Sequence, residues 1–289
     1  MQKWLLAARP KTLWASFAPV VLGTVMAYGD GAHHWPSACI TLLCAVLIQV
    51  GTNFANDYFD YEKGADTPER QGPIRVTQAG MISPQTMKQA TAAVFSITCL
   101  GGLYLIWRGG WPIGLIGGLS ILSGILYTGG PYPLGYLGLG DLFVLVFFGP
   151  IAVGGTYYVQ ALEIYPTILV AGLGPGLLIV AILTVNNLRD IEEDRKVGKR
   201  TLAVRFGKAF TRWEYALLVV LGASIPAFLY LYSGQHISSV TTLFVIPVAW
   251  PAFRTLCTRT DGPSLNPVLA YTARLLLVYS ALFSVGWLL

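Results

Sequence analysis

The chain has 289 residues, of which 54% are hydrophobic and only 11% charged, with a net charge of +5. Soluble domains carry roughly a quarter charged residues, so this composition excludes an ordinary water-soluble enzyme and points to a bilayer as solvent. The basic excess falls in loops between apolar runs, where orientation in a membrane and contact with anionic lipid account for it, and no nucleic-acid partner is called for.

In chain order, apolar runs of membrane-crossing length predict an all-α protein with nine transmembrane helices, over 12–29, 37–56, 89–107, 111–128, 137–157, 164–187, 213–232, 237–253 and 267–289. The amino-terminal segment is basic, then apolar, and lacks a convincing cleavage site, so it reads as an uncleaved first span. These spans consume nearly the whole sequence and predict a single transmembrane domain, 1–289. Of the 19 Lys and Arg residues, 17 fall in alternate loops, with Arg108 on the other side and Arg274 inside the last span. The positive-inside rule then places the amino terminus in the cytoplasm. Gly110, Gly114 and Gly118, four residues apart, read as a close-packing face of the fourth span. Cys39, Cys44, Cys99 and Cys257 lack metal-ligand spacing, and the pair His33–His34 lacks a third ligand nearby.

The acids are distributed unevenly. Ten of 14 fall in two groups, 57–69 and 190–194 with Glu214, both at predicted cytoplasmic helix ends. Asn53, Asp57 and Asp60 share one helical face, as do Asn186, Asp190 and Asp194. The repeated Asn-x-x-x-Asp, four helices apart, suggests two similar halves facing each other. Like charges beside a bilayer are costly and call for compensation. Magnesium is the natural partner, since it takes one or two carboxylates together with phosphate oxygens. Asp57, Asp60, Asp190 and Asp194 are therefore the expected metal ligands. Arg70 and Arg75 follow the first group; Arg189, Lys196, Lys199 and Arg200 adjoin the second, and such cations neutralise a diphosphate leaving group. A diphosphate held in a membrane bundle implies a lipid donor whose allylic carbon becomes cationic. Tyr58, Phe59, Tyr61, Tyr127, Tyr132 and Phe143 are candidate walls for that cation. Asp66, Asp141 and Tyr127 are candidate proton acceptors.

The strings ARPKTL (8–13), NDYFDYEKGAD (56–66), YTGGPYPLGYLGLGD (127–141) and NNLRDIEEDRKVGKRTLAVRFG (186–207) resemble the UbiA superfamily of intramembrane aromatic prenyltransferases, the last two its naphthoate branch. The resemblance implies a nine-helix bundle in the bacterial cytoplasmic (inner) membrane. It further implies magnesium-dependent transfer from polyprenyl diphosphate to 1,4-dihydroxy-2-naphthoate, with loss of diphosphate and carbon dioxide, yielding demethylmenaquinone. It also implies catalytic roles for Asp57, Asp60, Asp190 and Asp194, with Asp66, six residues beyond Asp60, departing from the common spacing. Substrate contacts are expected from Asn53, Asn56, Arg70, Arg75, Tyr127, Asn186, Asn187, Arg189, Lys199 and Arg200. Another aromatic acceptor or a phytyl donor is the near alternative. An ion-coupled transporter is the distant one, and its acids should lie at mid-membrane rather than at one end.

Overall fold

The structure, a computed structural model, describes residues 2–65 and 72–289. Every element among them is helical, as the apolar runs predict. A short helix α1 (Gln2–Ala8) precedes a single 3-10 turn at Pro10–Thr12 and α2 (Trp14–Gly29), the two pieces meeting at a bend of 52°. Arg9 stands at the bend with φ 51°, and Pro10 begins the turn, where its missing N–H costs nothing. The apolar run predicts a span only from residue 12, and α1 lies ahead of it. α1 contributes Ala7 to a small apolar cluster with Phe54, Val76, Ile82 and Met87, so it lies against the later part of α3 (Trp35–Glu62), the helix that carries Phe54.

Long helices follow: α3 (Trp35–Glu62), α4 (Pro84–Gly109) and α5 (Trp111–Leu126), then α6 (Gly140–Val146) continued through a π turn (Phe147–Ile151) into α7 (Ala152–Ala161). His34 caps α3 by accepting the Ser37 N–H on Nδ1 (3.3 Å), which gives this histidine a structural task. The π turn forms where Pro150 cannot donate and Gly149 takes φ −100°, ψ −107°. The second half comprises α8 (Pro166–Arg189), α9 (Ile191–Lys196), α10 (Leu202–Ser233), a 3-10 segment (Ile237–Phe244), α11 (Val245–Val248), α12 (Trp250–Thr258) and α13 (Gly262–Leu288). Among the described residues, seven helices are long and apolar enough to cross a membrane, or eight if the bent first pair is one span; α5 is shorter, with 16 residues.

α8 is the hub. It packs on α2, α10, α13 and the π turn, and its Leu178, Ile179, Val185 and Leu188 join Leu22, Met26, Tyr157, Tyr215, Tyr279 and Phe283 in the main core. Glycines let the neighbours approach it closely. A Cβ on Gly172 would meet the Gly149 carbonyl oxygen at 2.9 Å, and one on Gly149 would meet that of Gly172 at 2.8 Å. Gly174 faces Gly222 of α10 in the same manner. Cβ atoms on Gly117 and Gly118, by contrast, would meet nothing within 4 Å. Of the expected packing face Gly110, Gly114 and Gly118, Gly114 is close to Ile106, where a Cβ would lie at 3.3 Å, while Gly118 opens onto a cavity. Outer helices expose large apolar side chains such as Leu100, Leu103 and Leu231, which fits lipid rather than water around them.

Candidate active site

Two acid-bearing helix ends meet. The last turns of α3 carry Asp57 and Asp60, both 1% exposed; α8 ends at Asp190, 6% exposed, and α9 carries Asp194, 8% exposed. Carboxylates this buried must be paired or hydrogen-bonded, and each is. Asp57 accepts the backbone N–H groups of Val76 (3.2 Å) and Thr77 (2.9 Å), which folds the segment after the first acid group back over the α3 end. Asp60 accepts Arg75 Nη2 at 2.9 Å and the Tyr136 hydroxyl at 3.2 Å. Lys199 Nζ lies 3.8 Å from Asp60 Oδ1 and 3.6 Å from Asp194 Oδ1, so one ammonium spans the two acid groups. The two acid groups, expected to face each other from the repeated Asn-x-x-x-Asp, are joined through Lys199.

The sequence pattern treated 186–194 as one helix. The helix breaks at Asp190 (φ −94°, ψ 7°) and α9 restarts, yet Asp194 N–H still donates to the Asp190 carbonyl (2.8 Å), so Asn186, Asp190 and Asp194 keep the expected turn-by-turn order. Asp190 is gripped by Arg189 through Nε (2.6 Å) and Nη2 (2.8 Å). The same guanidinium donates to Asn186 Oδ1 (2.6 Å) and Asn266 Oδ1 (2.8 Å). Arg189 therefore spends its fork on protein acceptors, positioning the second acid group against α13. Asn187 is buried inside α8.

The remaining expected residues divide. Asn53 is turned to the amino-terminal segment, donating to the Ala8 carbonyl (2.9 Å) and Thr12 Oγ1 (3.1 Å). Asn56 accepts Thr128 Oγ1 (2.9 Å) and so fixes the segment after α5. Arg200 is exposed, and its backbone N–H bonds the Tyr136 carbonyl (2.8 Å). Asp66 and Arg70 lie outside the described residues. Of the proposed aromatic walls, Tyr127 and Phe143 line the cavity described below, while Tyr61 and Tyr132 are exposed.

Two residues absent from the sequence reading of the site complete it. Tyr136 sits under both Lys63 (4.8 Å from Nζ to the ring centroid) and Lys199 (5.0 Å) while holding Asp60. Lys63 reaches past the α3 end to the carbonyls of Thr128 (2.5 Å) and Gly130 (3.2 Å). Burial lowers its pKa from 10.5, with Asp60 opposing that shift and Lys199 reinforcing it. Tyr136 lies in an irregular stretch without periodicity, so only its place in the 127–141 string could have singled it out.

Beside the charged cluster is an apolar cavity of about 460 Å³ between α2, α3, α4, α5 and the α6–α7 helix. Ser16, Gln49, Thr52 and Tyr127 are among its few polar linings, and Gln49 donates to Asn53 (3.4 Å), one turn before Asp57. Tyr127 links the two regions. Its ring rests on Gly135, the residue before Tyr136, and on Gly140, the residue before Asp141. Among the described residues no three His, Cys, Asp or Glu side chains converge as a ready metal cage. The donor set is all oxygen and comes in two pairs, which suits magnesium because that ion shares its shell between one or two carboxylates, water and phosphate.

The UbiA prenyltransferase family model matches residues 16–287. The chain is 38% identical to 1,4-dihydroxy-2-naphthoate octaprenyltransferase of Escherichia coli, covering 99% of this chain and 94% of that protein. It is 37% identical to the enzyme of the same name from Haemophilus influenzae, over 100% and 96%. A UbiA homologue from Archaeoglobus fulgidus, solved with GPP and Mg2+, superposes with a TM-score of 0.67 at 17% identity, covering 98% of this chain and 99% of that one. A family match over nearly the whole length, with full-length relatives at this identity, makes this chain a member of the UbiA prenyltransferase family.

Proposed function

We propose that this protein transfers a polyprenyl group from polyprenyl diphosphate to 1,4-dihydroxy-2-naphthoate, in menaquinone biosynthesis. The reading rests on full-length relatives of that name together with one structural observation: Lys199 joins Asp60 to Asp194 beside an apolar cavity. The apolar cavity suits an isoprenoid tail, and the charged cluster suits the diphosphate at its head. Lys199, Lys63 and Arg75 would then face charge growing on the leaving oxygen, the placement that lowers an ionisation barrier. When bound by Asp57, Asp60, Asp190 and Asp194, magnesium supplies further positive charge to that diphosphate. Tyr127 and Phe143 offer ring faces to the allylic carbon. The allylic carbon–oxygen bond breaks with its electron pair leaving on diphosphate. The ring carbon bearing the carboxylate then bonds to the allyl cation, and carbon dioxide departs, leaving its bonding pair to restore the aromatic ring. Burial of the cluster limits competing capture of the cation by water.

The finer architecture belongs to the same reading. α5, although short, is taken as a ninth span, the amino terminus as cytoplasmic, the chain as one transmembrane domain, and the location as the bacterial cytoplasmic membrane. Alternation of the basic loops supports the orientation.

The test is purified protein with magnesium, geranylgeranyl diphosphate and 1,4-dihydroxy-2-naphthoate, product being identified by mass. Prenylated, decarboxylated product that disappears with EDTA is expected. Product formed only with 4-hydroxybenzoate would overturn the acceptor, and turnover unaffected by EDTA would overturn the metal.

A further inference from the structure

A second cavity, of about 110 Å³, lies at the opposite end of the bundle. α8 begins beside it and ends at the acid cluster; 24 residues at 1.5 Å each separate the two sites by roughly 36 Å. Its walls come from five places in the chain: Asp30 after α2, Tyr165 before α8, Ser233 at the end of α10, His236 and Ser239 in the connection that follows, and Trp287 near the end of α13.

Three features suggest a ligand. The Asp30 carboxylate accepts the Tyr157 hydroxyl (2.7 Å), and no described Lys or Arg forms an ion pair with it. Trp287 is 7% exposed, yet its indole Nε1 has no acceptor. A buried donor of this kind destabilises the fold unless something accepts from it. His236 is held at φ 57°, a region disfavoured for residues other than glycine, and stacks on Trp287 with centroids 3.9 Å apart and planes 10° from parallel. The cavity rim thus carries one anion, the exposed Asp30, and Trp287, whose unmet donor lies against Gly29, the residue before Asp30. A ligand carrying both a cation and a hydrogen-bond acceptor answers both.

The surroundings identify where such a ligand would come from. Tyr28, Trp35, Trp107, Trp111 and Tyr232, all exposed, stand at helix ends on this side, forming the aromatic girdle expected at a membrane–water boundary. Lipid head groups lie at that level. We propose that this cavity binds the ammonium–phosphate head group of an ethanolamine phospholipid, with the ammonium on Asp30 and a phosphate oxygen on Trp287 Nε1. A primary ammonium can donate hydrogen bonds to the carboxylate; the bulkier trimethylammonium of choline lipids cannot. The proposal is independent of the prenyl-transfer reading, since none of its residues adjoins the acid cluster.

Native mass spectrometry of the full chain in detergent measures it, with phosphatidylethanolamine, phosphatidylcholine and phosphatidylglycerol offered in turn. Ethanolamine lipid should bind most tightly, roughly tenfold tighter than to Asp30→Asn or Trp287→Phe. Prenyl transfer by both variants should be unchanged, and Trp287→Phe carries the comparison if Asp30→Asn does not fold. Water-soluble glycerophosphoethanolamine should displace the lipid. Equal binding of all three lipids, undiminished ethanolamine-lipid binding in the variants, or a lipid that glycerophosphoethanolamine does not displace would each overturn the proposal, the last by assigning affinity to acyl chains.

Discussion

Lys199 and Arg189 show how differently two cations beside the same acids are used. Lys199 is shared between Asp60 and Asp194 at distances longer than a tight ion pair, so its charge can turn to a phosphate. Replacing it with methionine should lower kcat by about 100-fold or more, the scale set by losing one preorganised electrostatic donor; arginine should restore part of it. Arg189 donates from Nε, Nη1 and Nη2 to protein acceptors. Arg189→Ala would strand Asp190 in the interior and should cost about 3–5 kcal/mol, read as a fall in unfolding midpoint. Loss of activity without loss of stability would contradict that positioning role. The carboxylates were legible in the sequence because four acids at helical spacing beside apolar runs need compensation. The directions of Asn53, Arg189 and Arg200 were not, because which neighbour claims a polar side chain depends on tertiary contacts such as Asn53 with Ala8 and Arg189 with Asn266.

Long helices declared themselves by apolar length, and the interruptions within them did not. Pro150 marks a break in the run 137–157, but Gly149 meeting Gly172 across the π turn depends on α8, far away in sequence. Glycines spaced at four residues likewise have two uses that sequence cannot separate, close packing at Gly172 and Gly176 and open space at Gly118. Ala at Gly172 or Gly176 would drive Cβ against backbone at 2.9 Å and should cost about 1–3 kcal/mol by overpacking. Ala at Gly118 should leave the unfolding midpoint within error, and equal destabilisation of all three would refute the distinction. At the start of α13, Asp261 caps the helix by accepting the Ser264 N–H (3.0 Å). Its hydrogen bond with Ser264 lowers its carboxyl pKa from 3.8. A depressed carboxylate stabilises the fold above its ordinary pKa, and that contribution fades as pH falls through the lowered value. The midpoint difference between wild type and Asp261→Ala should therefore be constant above about pH 5 and shrink only in stronger acid. A difference independent of pH would exclude the charged cap.

For the molecule as a whole, membrane character and the meeting of two halves follow from composition and the repeated acid motif, and α1 together with the cavity needed the structure. Native cysteines test the orientation. Cys39 is exposed near the start of α3 and Cys257 near the end of α12, at opposite ends of the bundle. An impermeant thiol reagent should label Cys257 from the cytoplasmic face and Cys39 from the other; the reverse pattern would invert the topology. The central claim is that the two acid groups form one diphosphate site. A double-mutant cycle on kcat with Asp60→Asn and Asp194→Asn measures this directly, since residues acting as a unit are not additive. Each single change should remove most turnover and the pair little more than either alone, whereas losses that multiply would show two independent sites and contradict the account.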